Sequence, residues 1–503
     1  MSFSRSIGSW ASLGLVAVAT LVAAPGASFA KVTISADATQ NIVCSNGVCA
    51  PTAAKATLNA NDLQSLLSSG NVEITTTGSG VQATDIEVSA PLTWSSAFAL
   101  TLDAYQSTSV DRLVSVTGTG GLSLTTNDGG NGGALSFGAK GKVEFANLSS
   151  ALTINGTSYA LVNSIAALAS AIASNPAGAY ALANDYDASK DRTYKSSPVP
   201  TELTGSFEGL GNVVSNLTIH FRSKTYTAAF FTAVGSSGSV GHIRLAHERV
   251  TAFGEAGAAG LVGWNYGSIS GAEISGSFEG VNSAGLAGLN AGSIESSSTK
   301  VSIMVLGFAA GLVSSNLGTI SRSHATGTVT SSGSGGVTVD GLVGLNRGGI
   351  IDQSFADVAV TGADGSTVGG LVGEDTGTVT NSYAEGAVTG GDQSSVGGLD
   401  GYGNGVVQDS YSTGAVSGGN ESGVGGFIGY DEGSIVTDGY WDTTTSGTDQ
   451  GTGNGNVTGL TGLTTEQLQA GLPKGFKKNI WAENPNLNNG LPYLKANPPP
   501  PPK

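Results

Sequence analysis

The side chains best suited to chemistry are few in this sequence and widely spaced. Four histidines occur, at His220, His242, His247 and His324. None stands in the HExxH spacing that places two imidazoles on one helix face to bind zinc. His242 and His247 are five residues apart, but zinc needs more ligands than this pair supplies. The sequence therefore predicts no metal site and no metal cofactor.

No nucleophile stands in a motif that would activate it. The chain has no GxSxG elbow at a strand–helix junction. The stretch NDGGNGGALSF, residues 127–137, is vaguely similar to calcium-binding nonapeptide repeats but occurs once, whereas such sites need stacked copies. A glycine-rich turn is the better interpretation. We predict no catalytic residue, no cofactor-binding residue and no metal ligand.

Carboxylates and aromatics at repeated positions are the one pattern that favours an enzyme. Paired carboxylates could act as acid and base in cleaving a polysaccharide, and aromatic rings could stack on sugars or equally fill a core. The four acids and three aromatics concerned are Asp352, Asp357, Glu385 and Asp409, with Phe355, Tyr383 and Tyr411. Solvated surface acids look the same in a sequence, so no catalytic pair can be chosen.

The two cysteines, Cys44 and Cys49, flank a predicted hairpin turn. Asn46-Gly47 favours a two-residue type I′ turn, which places the cysteines directly opposite each other at disulfide distance. A redox-active pair usually has the tighter CxxC spacing. We therefore predict a structural disulfide, which an oxidising compartment would preserve.

Residues 1–30 have the pattern of a secretory signal peptide. Arg5 supplies the positive charge, residues 13–24 a short apolar core, and residues 28–30 the small side chains of a cleavage site. The apolar run is too short to span a membrane comfortably, and no later segment approaches a spanning length. We expect an exported protein, secreted or displayed on the bacterial cell surface, with no transmembrane segment in the mature chain.

The charge of the chain excludes one class of partner. Removing Arg5 with the signal leaves 20 of the 21 basic residues and all 37 acidic residues, a net charge of −17. Such a chain lacks the broad basic surface that binds nucleic acid. The expected partner is an unknown extracellular ligand, either a glycan or a protein surface.

An internal repeat is the main feature of the sequence. With 78 glycines and only 12% charged residues, the composition suits short strands and tight turns and suits long helices badly. A Gly-Leu-Val-Gly-like core recurs at spacings of 25, 26, 30, 29, 28 and 28 residues, a period typical of a solenoid. The predicted core positions are Leu261, Leu286, Leu312, Leu342, Leu371, Leu399 and Phe427.

Three further columns keep register with this core. The first column, of Asn and Asp five residues after the leading glycine, predicts a side-chain amide ladder or left-handed turn residues, with a ligand-coordinating stripe as the alternative. The second column, of glycines, predicts a positive φ or a close backbone approach. The third column is apolar. The first column holds Asn265, Asn290, Asn316, Asn346, Asp375 and Asp431, with Gly403 between the last two; the second holds Gly267, Gly292, Gly318, Gly348, Gly377, Gly405 and Gly433; the third holds Ile269, Ile294, Ile320, Ile350, Val379, Val407 and Ile435. A one-residue insertion in the fourth repeat would make Ile351 the equivalent of Ile350.

Coiling successive repeats buries the aliphatic columns and pairs each strand with its equivalents above and below. We therefore predict an all-β parallel solenoid, with short helical insertions near residues 61–67 and 163–173 in the N-terminal half. The predicted divisions are a signal peptide (1–30), a β-rich region with the cysteine hairpin (31–160), a helical or loop connector (161–204), the repeat solenoid (205–445), a C-terminal cap (446–494) and a proline-rich tail (495–503).

Residues 205–445 resemble the GLUG repeats of large bacterial surface proteins, including filamentous-haemagglutinin-like adhesins and some autotransported proteases. The shared pattern is GGLVG, then NxGxI, then NSYA as at 381–384, then GxV as at 386–388. Flanking segments at 180–188, 440–442, 460–468 and 490–494 are similar to the same proteins. The resemblance implies a right-handed parallel β-helix on an exported, adhesin-like protein.

These observations predict an adhesin-like scaffold that binds extracellular ligands through its repetitive β-helix, and not an enzyme. A polysaccharide lyase or glycosidase on the same fold is one alternative, since fold alone does not decide activity. A passive structural stalk is the other.

Overall fold

The computed structural model describes residues 30–223, 227–333 and 335–500 of the chain. It shows a parallel β-solenoid of about fifteen coils, rich in strand and poor in helix, which confirms the predicted fold class. The predicted signal peptide, except for Ala30, and the last three residues of the proline-rich tail lie outside the described residues. Strands of successive coils lie about 4.8 Å apart, so side chains at equivalent positions stack on one another.

The coils of the repeat region have three faces, because each repeat supplies short strands between tight turns. The eight parallel strands of the first face are Thr227–Ala228, Gly257–Ala259, Ser283–Ala284, Ala309–Ala310, Thr338–Asp340, Thr367–Gly369, Ser395–Gly397 and Gly423–Gly425. The nine parallel strands of the second face are Phe231–Val234, Val262–Asn265, Ala287–Asn290, Val313–Asn316, Val343–Asn346, Val372–Asp375, Asp400–Gly403, Ile428–Asp431 and Thr452–Asn454.

The third face belongs to a sheet of 29 strands that extends through the whole solenoid. In the repeat region its strands are Ser206–Glu208, Val213–Ser215, Thr218–Ser223, Ser239–Gly241, Arg244–Gly254, Ser268–Ser270, Glu273–Gly280, Ser293–Glu295, Ser298–Val305, Thr319–Ser321, His324–Ser331, Ile350–Asp352, Phe355–Thr361, Thr378–Thr380, Tyr383–Ala384, Val388–Thr389, Val406–Ser412, Val416–Ser417, Ile435–Asp442 and Leu460–Leu463. Most of these strands pair in parallel with their equivalents in the next coil, as the repeat predicts.

Parallel pairing extends upstream of residue 205 into the N-terminal region. The strands that join the 29-stranded sheet there are Ile42–Ser45, Val48–Pro51, Val72–Thr75, Leu100–Asp103, Leu122–Thr125, Leu152–Ile154, Thr157–Val162, Ala179–Leu182 and Tyr186–Asp187. The other two faces are a five-stranded sheet (Lys31–Ser35, Lys55–Asn59, Asp85–Val88, Thr108–Val110, Leu135–Phe137) and a three-stranded sheet (Leu92–Trp94, Leu113–Val116, Lys142–Phe145). Two pairs within the 29-stranded sheet are antiparallel: Ile42–Ser45 with Val48–Pro51, and Leu152–Ile154 with Thr157–Val162. Two small separate sheets are also antiparallel hairpins: Thr77–Gly78 with Val81–Gln82, and Trp481–Ala482 with Tyr493–Leu494.

Two helices, α1 (Ala60–Leu67) and α2 (Ile165–Ser174), are the predicted insertions of the N-terminal half. Each follows a polar N-cap, Asn59 or Ser164, whose side-chain oxygen accepts a backbone N–H of the first turn. The shorter helices are α3 (Thr465–Leu468) and two 3₁₀ turns, Ala188–Lys190 and Asn488–Gly490.

The predicted leucine column forms one row in the interior. Its seven members, from Leu261 to Phe427, are fully buried or nearly so. Each backbone N–H donates to the carbonyl of the equivalent residue one coil further, as from Leu312 to Leu342. Burying a leucine side chain contributes about 1.5 to 3 kcal/mol, so repetition of this position drives the coiling.

The apolar column on the third face corrects two predicted positions. Ile351 and not Ile350 stacks between Ile320 and Val379, and Val436 takes the place expected for Ile435. Ile350 and Ile435 point outward and are 45% and 64% exposed. One extra residue in the preceding turn reverses the inward and outward alternation of a strand.

The same insertions correct the glycine column. Gly349 and Ser434 take the stacked positions predicted for Gly348 and Gly433. In each case the backbone N–H of the residue that follows donates to the carbonyl of the stacked glycine in the preceding coil. Gly348 and Gly433 are the inserted residues and have positive φ. The stacked glycines are explained by close approach: a Cβ on Gly318 would lie 2.0 Å from the Gly292 carbonyl oxygen.

The asparagine column is a hydrogen-bonded amide ladder in the interior. Asn265 donates to Asn290 at 2.7 Å, and the ladder continues through Asn316 and Asn346 to Asp375 with bonds of 2.8 to 2.9 Å. It ends there because the next position is Gly403, where a Cβ would lie 2.4 Å from Ser434 Oγ. Asp431 lies beyond this break and accepts the N–H groups of its own turn.

A second ladder consists of serines on the third face and was not predicted. The backbone N–H of each serine donates to the hydroxyl of the serine one coil further, and each hydroxyl donates to a carbonyl two residues earlier. Its members are Ser297, Ser323, Ser354, Ser382 and Ser410. The ladder satisfies the buried hydroxyls of its own five serines.

Cys44 and Cys49 form the predicted disulfide across a hairpin whose turn residues, Asn46 and Gly47, have positive φ. We expect replacement of both cysteines by serine to lower the free energy of unfolding by about 2 kcal/mol, because the bridge restricts a short loop of the unfolded chain. Urea denaturation measures the change. The reduced wild-type protein should match the double variant, and an unchanged midpoint would contradict this expectation.

Candidate functional site

The turn that precedes the long strands of the third face carries polar and charged side chains on successive coils. Eight residues at equivalent positions have left-handed backbone there: His242, Gly271, Ser296, Arg322, Gln353, Asn381, Asp409 and Asp438. We call them the turn column. Two residues later comes the outer column, which stacks in register as Arg244, Glu273, Ser298, His324, Phe355, Tyr383, Tyr411 and Tyr440. The two columns form one long strip beside the solenoid.

The first half of this strip lines an open groove of about 930 Å³. One wall is the glycine-rich loop that runs through residues 132–137, and the floor is the turn column from His242 to Arg322. Asn127 shapes the loop, since its side chain bonds both the N–H and the carbonyl of Gly133. Ala496, near the C-terminus, closes one end.

His242 is paired with a carboxylate from the preceding coil. Its Nδ1 atom lies 3.0 Å from Glu208 Oε1, and its ring lies against Phe137 at 5.1 Å between centroids. Burial by itself would lower the pKa of His242, but the Glu208 carboxylate outweighs burial and raises the pKa above its ordinary value. The pair is therefore a buried charge-assisted contact at one end of the groove.

Arg244 connects the groove floor to its wall. The guanidinium donates to the carbonyls of Gly141, Gly211 and Gly138 at 2.7 to 3.1 Å. Its Nε lies 3.3 Å from Glu273 Oε1 on the next coil. These bonds use the planar donors of arginine fully, so Arg244 positions the loop and is not free to bind an ion.

Further along the groove Arg322 forms an ion pair with Glu295, and both side chains are substantially exposed. The groove therefore presents ion pairs on successive coils, together with the amides of Asn127 and Asn155 and the hydroxyl of Ser296. Paired charges and amides offer directed hydrogen bonds without a strong net charge. Such a surface suits a polar, extended ligand.

The second half of the strip is an aromatic stack that the C-terminal segment covers. His324, Phe355, Tyr383 and Tyr411 lie parallel, with centroids 4.6, 4.8 and 5.0 Å apart. Phe355, Tyr383 and Tyr411, together with Tyr440, belong to an apolar cluster separate from the main interior. The faces of these rings are occupied by one another and their edges are buried, so the three predicted aromatics fill a core and do not offer a sugar-stacking surface.

The four predicted acids do not form one site. Asp352 accepts bonds from Thr380 and Asn381 within the turn column. Asp409 lies beside Asp438 under the C-terminal segment. Asp357 and Glu385 are neighbours on successive coils, where burial, followed by the Asp357 charge, raises the pKa of Glu385 to about 8 against the opposing bonds of Asn488 and Tyr411.

The groove residues were not selected from the sequence as a site; His242 was judged incidental and the stretch 127–137 was interpreted as a glycine-rich turn. Glu208 and His242 are 34 residues apart, and the loop that faces them belongs to the N-terminal region. The signal that could have found them was the turn position itself, since a His and an Arg there replace the residues expected of a left-handed turn.

No group of three or more His, Cys, Asp or Glu side chains is arranged to hold a metal ion among the described residues. Within residues 30–223, 227–333 and 335–500, no helix is both long and apolar enough to cross a membrane.

Comparison with known proteins leaves the family open. No family model and no curated protein matches the chain. A solved structure from Bacteroides ovatus, provisionally named an immunoglobulin A1 protease, aligns with a TM-score of 0.32 and 15% identity, over 63% of this chain and 85% of that one. This likeness is too distant to assign a function.

Proposed function

We propose that this chain is an adhesin-like scaffold, secreted or displayed on the cell surface, that binds an extended extracellular ligand in the groove of the third face. The proposal includes membership among the GLUG-repeat surface proteins, for which the repeat motifs are the support. It also holds that the protein is a binder and not an enzyme, since the groove's carboxylates are engaged in ion pairs.

The observation that carries the proposal is the continuity of the groove with the covered strip. A folded segment of the chain, residues 472–497, already covers the outer column from Tyr440 to His324. The open groove continues along the same two columns beyond Ala496. An extended polymer, a glycan or a polypeptide, could lie there lengthwise and contact one rung per coil.

We expect Arg322→Asn to weaken binding at least about ten-fold, equivalent to 1.4 kcal/mol, because it removes the exposed guanidinium from the groove floor. Asparagine tolerates left-handed backbone, and an exposed ion pair contributes little to stability, so the fold should persist. Binding of purified protein to immobilised glycans and extracellular-matrix proteins measures the effect.

Gln393→Asn is the matched control, because Gln393 also has positive φ but lies on an exposed turn outside the groove. It should bind within about two-fold of wild type. Saturable binding that is insensitive to Arg322→Asn would move the site elsewhere, and no binding at all would favour the stalk. A turnover assay on the same polysaccharides runs alongside, and measurable cleavage would replace the adhesin with a lyase or glycosidase.

A further inference from the structure

The segment that covers the aromatic stack, residues 472–497, is attached differently from every solenoid strand. Its two short strands, Trp481–Ala482 and Tyr493–Leu494, pair with each other. All the backbone–backbone hydrogen bonds described for residues 472–497 join two residues of this segment, as from the Lys495 N–H to the Ile480 carbonyl. We call it the C-terminal cover. Lifting the cover would therefore break no rung of the solenoid ladder.

Side chains make the hydrogen bonds between the cover and the solenoid. Tyr411 Oη donates to the Pro492 carbonyl at 2.6 Å, and Tyr440 Oη to the Lys474 carbonyl at 2.9 Å. At the far end Asn497 contacts His324 Nδ1 at 3.0 Å and donates to the Ser323 carbonyl at 3.1 Å. These contacts span the five coils from Tyr440 to His324.

Apolar anchors fill the space between these bonds. Trp481 is fully buried and packs against Tyr383 and Tyr411, with ring centroids 6.0 and 5.9 Å apart. Phe476 stacks on Trp481 at 4.4 Å, and Leu494 completes the cluster. The stacked rings of the solenoid thus bind a polypeptide through a pair of aromatic side chains followed by a leucine.

Charge complements this apolar contact. The cover carries four lysines and one glutamate, against a chain with a net charge of −16. Lys474 lies 3.4 Å from Asp438, and a Cβ on Gly475 would lie 2.5 Å from Asp409 Oδ1. A lysine-rich turn therefore sits on the paired carboxylates of the turn column.

The interface between the cover and the solenoid leaves three buried polar atoms without a partner among the described residues. The Tyr383 hydroxyl, Trp481 Nε1 and Glu483 Oε1 are buried without a hydrogen-bond partner in the described part of the chain, and each would gain water on opening. Beside this interface burial raises the pKa of Glu385 to about 8, and the side-chain bond from Asn488 of the cover opposes the rise.

We propose that the aromatic stack is an exchangeable polypeptide-binding surface, whose occupant is either the protein's own C-terminal cover or the cover of a second copy of this chain. Exchange of an identical segment between copies needs no new contact. In one molecule the cover competes at an effective concentration of about millimolar. Crowding of copies at a surface would favour exchange.

The test uses the full-length protein and a labelled 26-residue peptide with the sequence of residues 472–497. Wild-type protein should bind it weakly, because its own cover competes. Trp481→Ala in the protein should strengthen binding of the wild-type peptide at least about ten-fold, since it weakens the internal competitor only. The same change in the peptide should abolish binding.

Asn479→Ala, at an exposed position of the cover, is the control and should leave peptide binding at the wild-type level. If Trp481→Ala unfolds the protein, Asn497→Ala weakens the cover at its far end and should have the same effect. A folded weakened-cover variant that binds the peptide no better than wild type would overturn the proposal. A wild-type protein that light scattering shows to be monomeric at millimolar concentration would also overturn the proposal, because the cover of a second copy would then not occupy the aromatic stack.

Discussion

Replacing Asn316 by alanine is expected to lower the free energy of unfolding by about 3 kcal/mol. The change removes the bonds that Asn316 makes with Asn290 and Asn346, at 2.8 and 2.9 Å, in the centre of the amide ladder. The side-chain oxygen of Asn346 loses its donor, and an unsatisfied buried polar group costs about 1 to 3 kcal/mol. The cavity left by the amide adds to this loss. Urea denaturation followed by circular dichroism measures the effect.

Asn420→Ala is the matched control, because Asn420 is exposed and its side chain makes one long contact with Asp392. It should change the stability by less than about 0.5 kcal/mol. Equal losses in the two variants would mean that the ladder contributes little and that burial of the leucine column is sufficient for the solenoid.

Asp400→Val should raise the stability by about 2 kcal/mol at pH 8. Asp400 is buried in an apolar column of the second face, between Val372 and Ile428. Neither carboxyl oxygen has a hydrogen-bond partner of good geometry among the described residues, and burying an unpaired polar group costs about 1 to 3 kcal/mol. Valine is the residue that most repeats place at this position, so the variant should pack without strain.

The gain should depend on pH in a defined direction. Burial, reinforced by the nearby carboxyl of Asp375 and only partly opposed by the Tyr402 N–H, raises the pKa of Asp400 well above its usual range. The contribution of Asp400 to the stability of the wild-type protein is then greatest below the unfolded pKa near 4 and is lost as pH rises through the folded pKa. The difference between Asp400→Val and wild type should therefore widen from pH 4 to pH 8.

Asp431→Val tests whether this effect belongs to the buried position. Asp431 is partly exposed and accepts the N–H groups of Gly433 and Ser434, so its replacement should lower the stability slightly. Thermal melts of wild type, Asp400→Val and Asp431→Val between pH 4 and pH 8 measure these differences in stability. A gain for Asp431→Val comparable to that for Asp400→Val, or a gap that narrows at high pH, would contradict the assignment of Asp400 as an unsatisfied buried acid.

Two positions of the apolar column, one left open between Ile350 and Ile351 and one wrongly assigned to Ile435, show where a repeat is an incomplete guide. Counting from the leading glycine placed Ile350 and Ile435 inside, whereas one inserted residue in each turn puts Ile351 and Val436 there. Both candidates are apolar, so composition could not separate them. Only the strand pairing fixes the register, because a shift of one residue exchanges the two faces of a strand.

The repeat spacing alone determined the coil, its leucine interior and the amide ladder, because these contacts join equivalent residues one period apart. The hairpin disulfide and the two helices were predictable from local sequence patterns, because each depends on residues that are close together in the chain. Tertiary structure alone decided the groove and the cover. Glu208 meets His242 from another coil and faces a loop of the N-terminal region, and Tyr411 is buried by Pro492, 81 residues away. Such contacts depend on where distant segments dock, which no periodicity encodes.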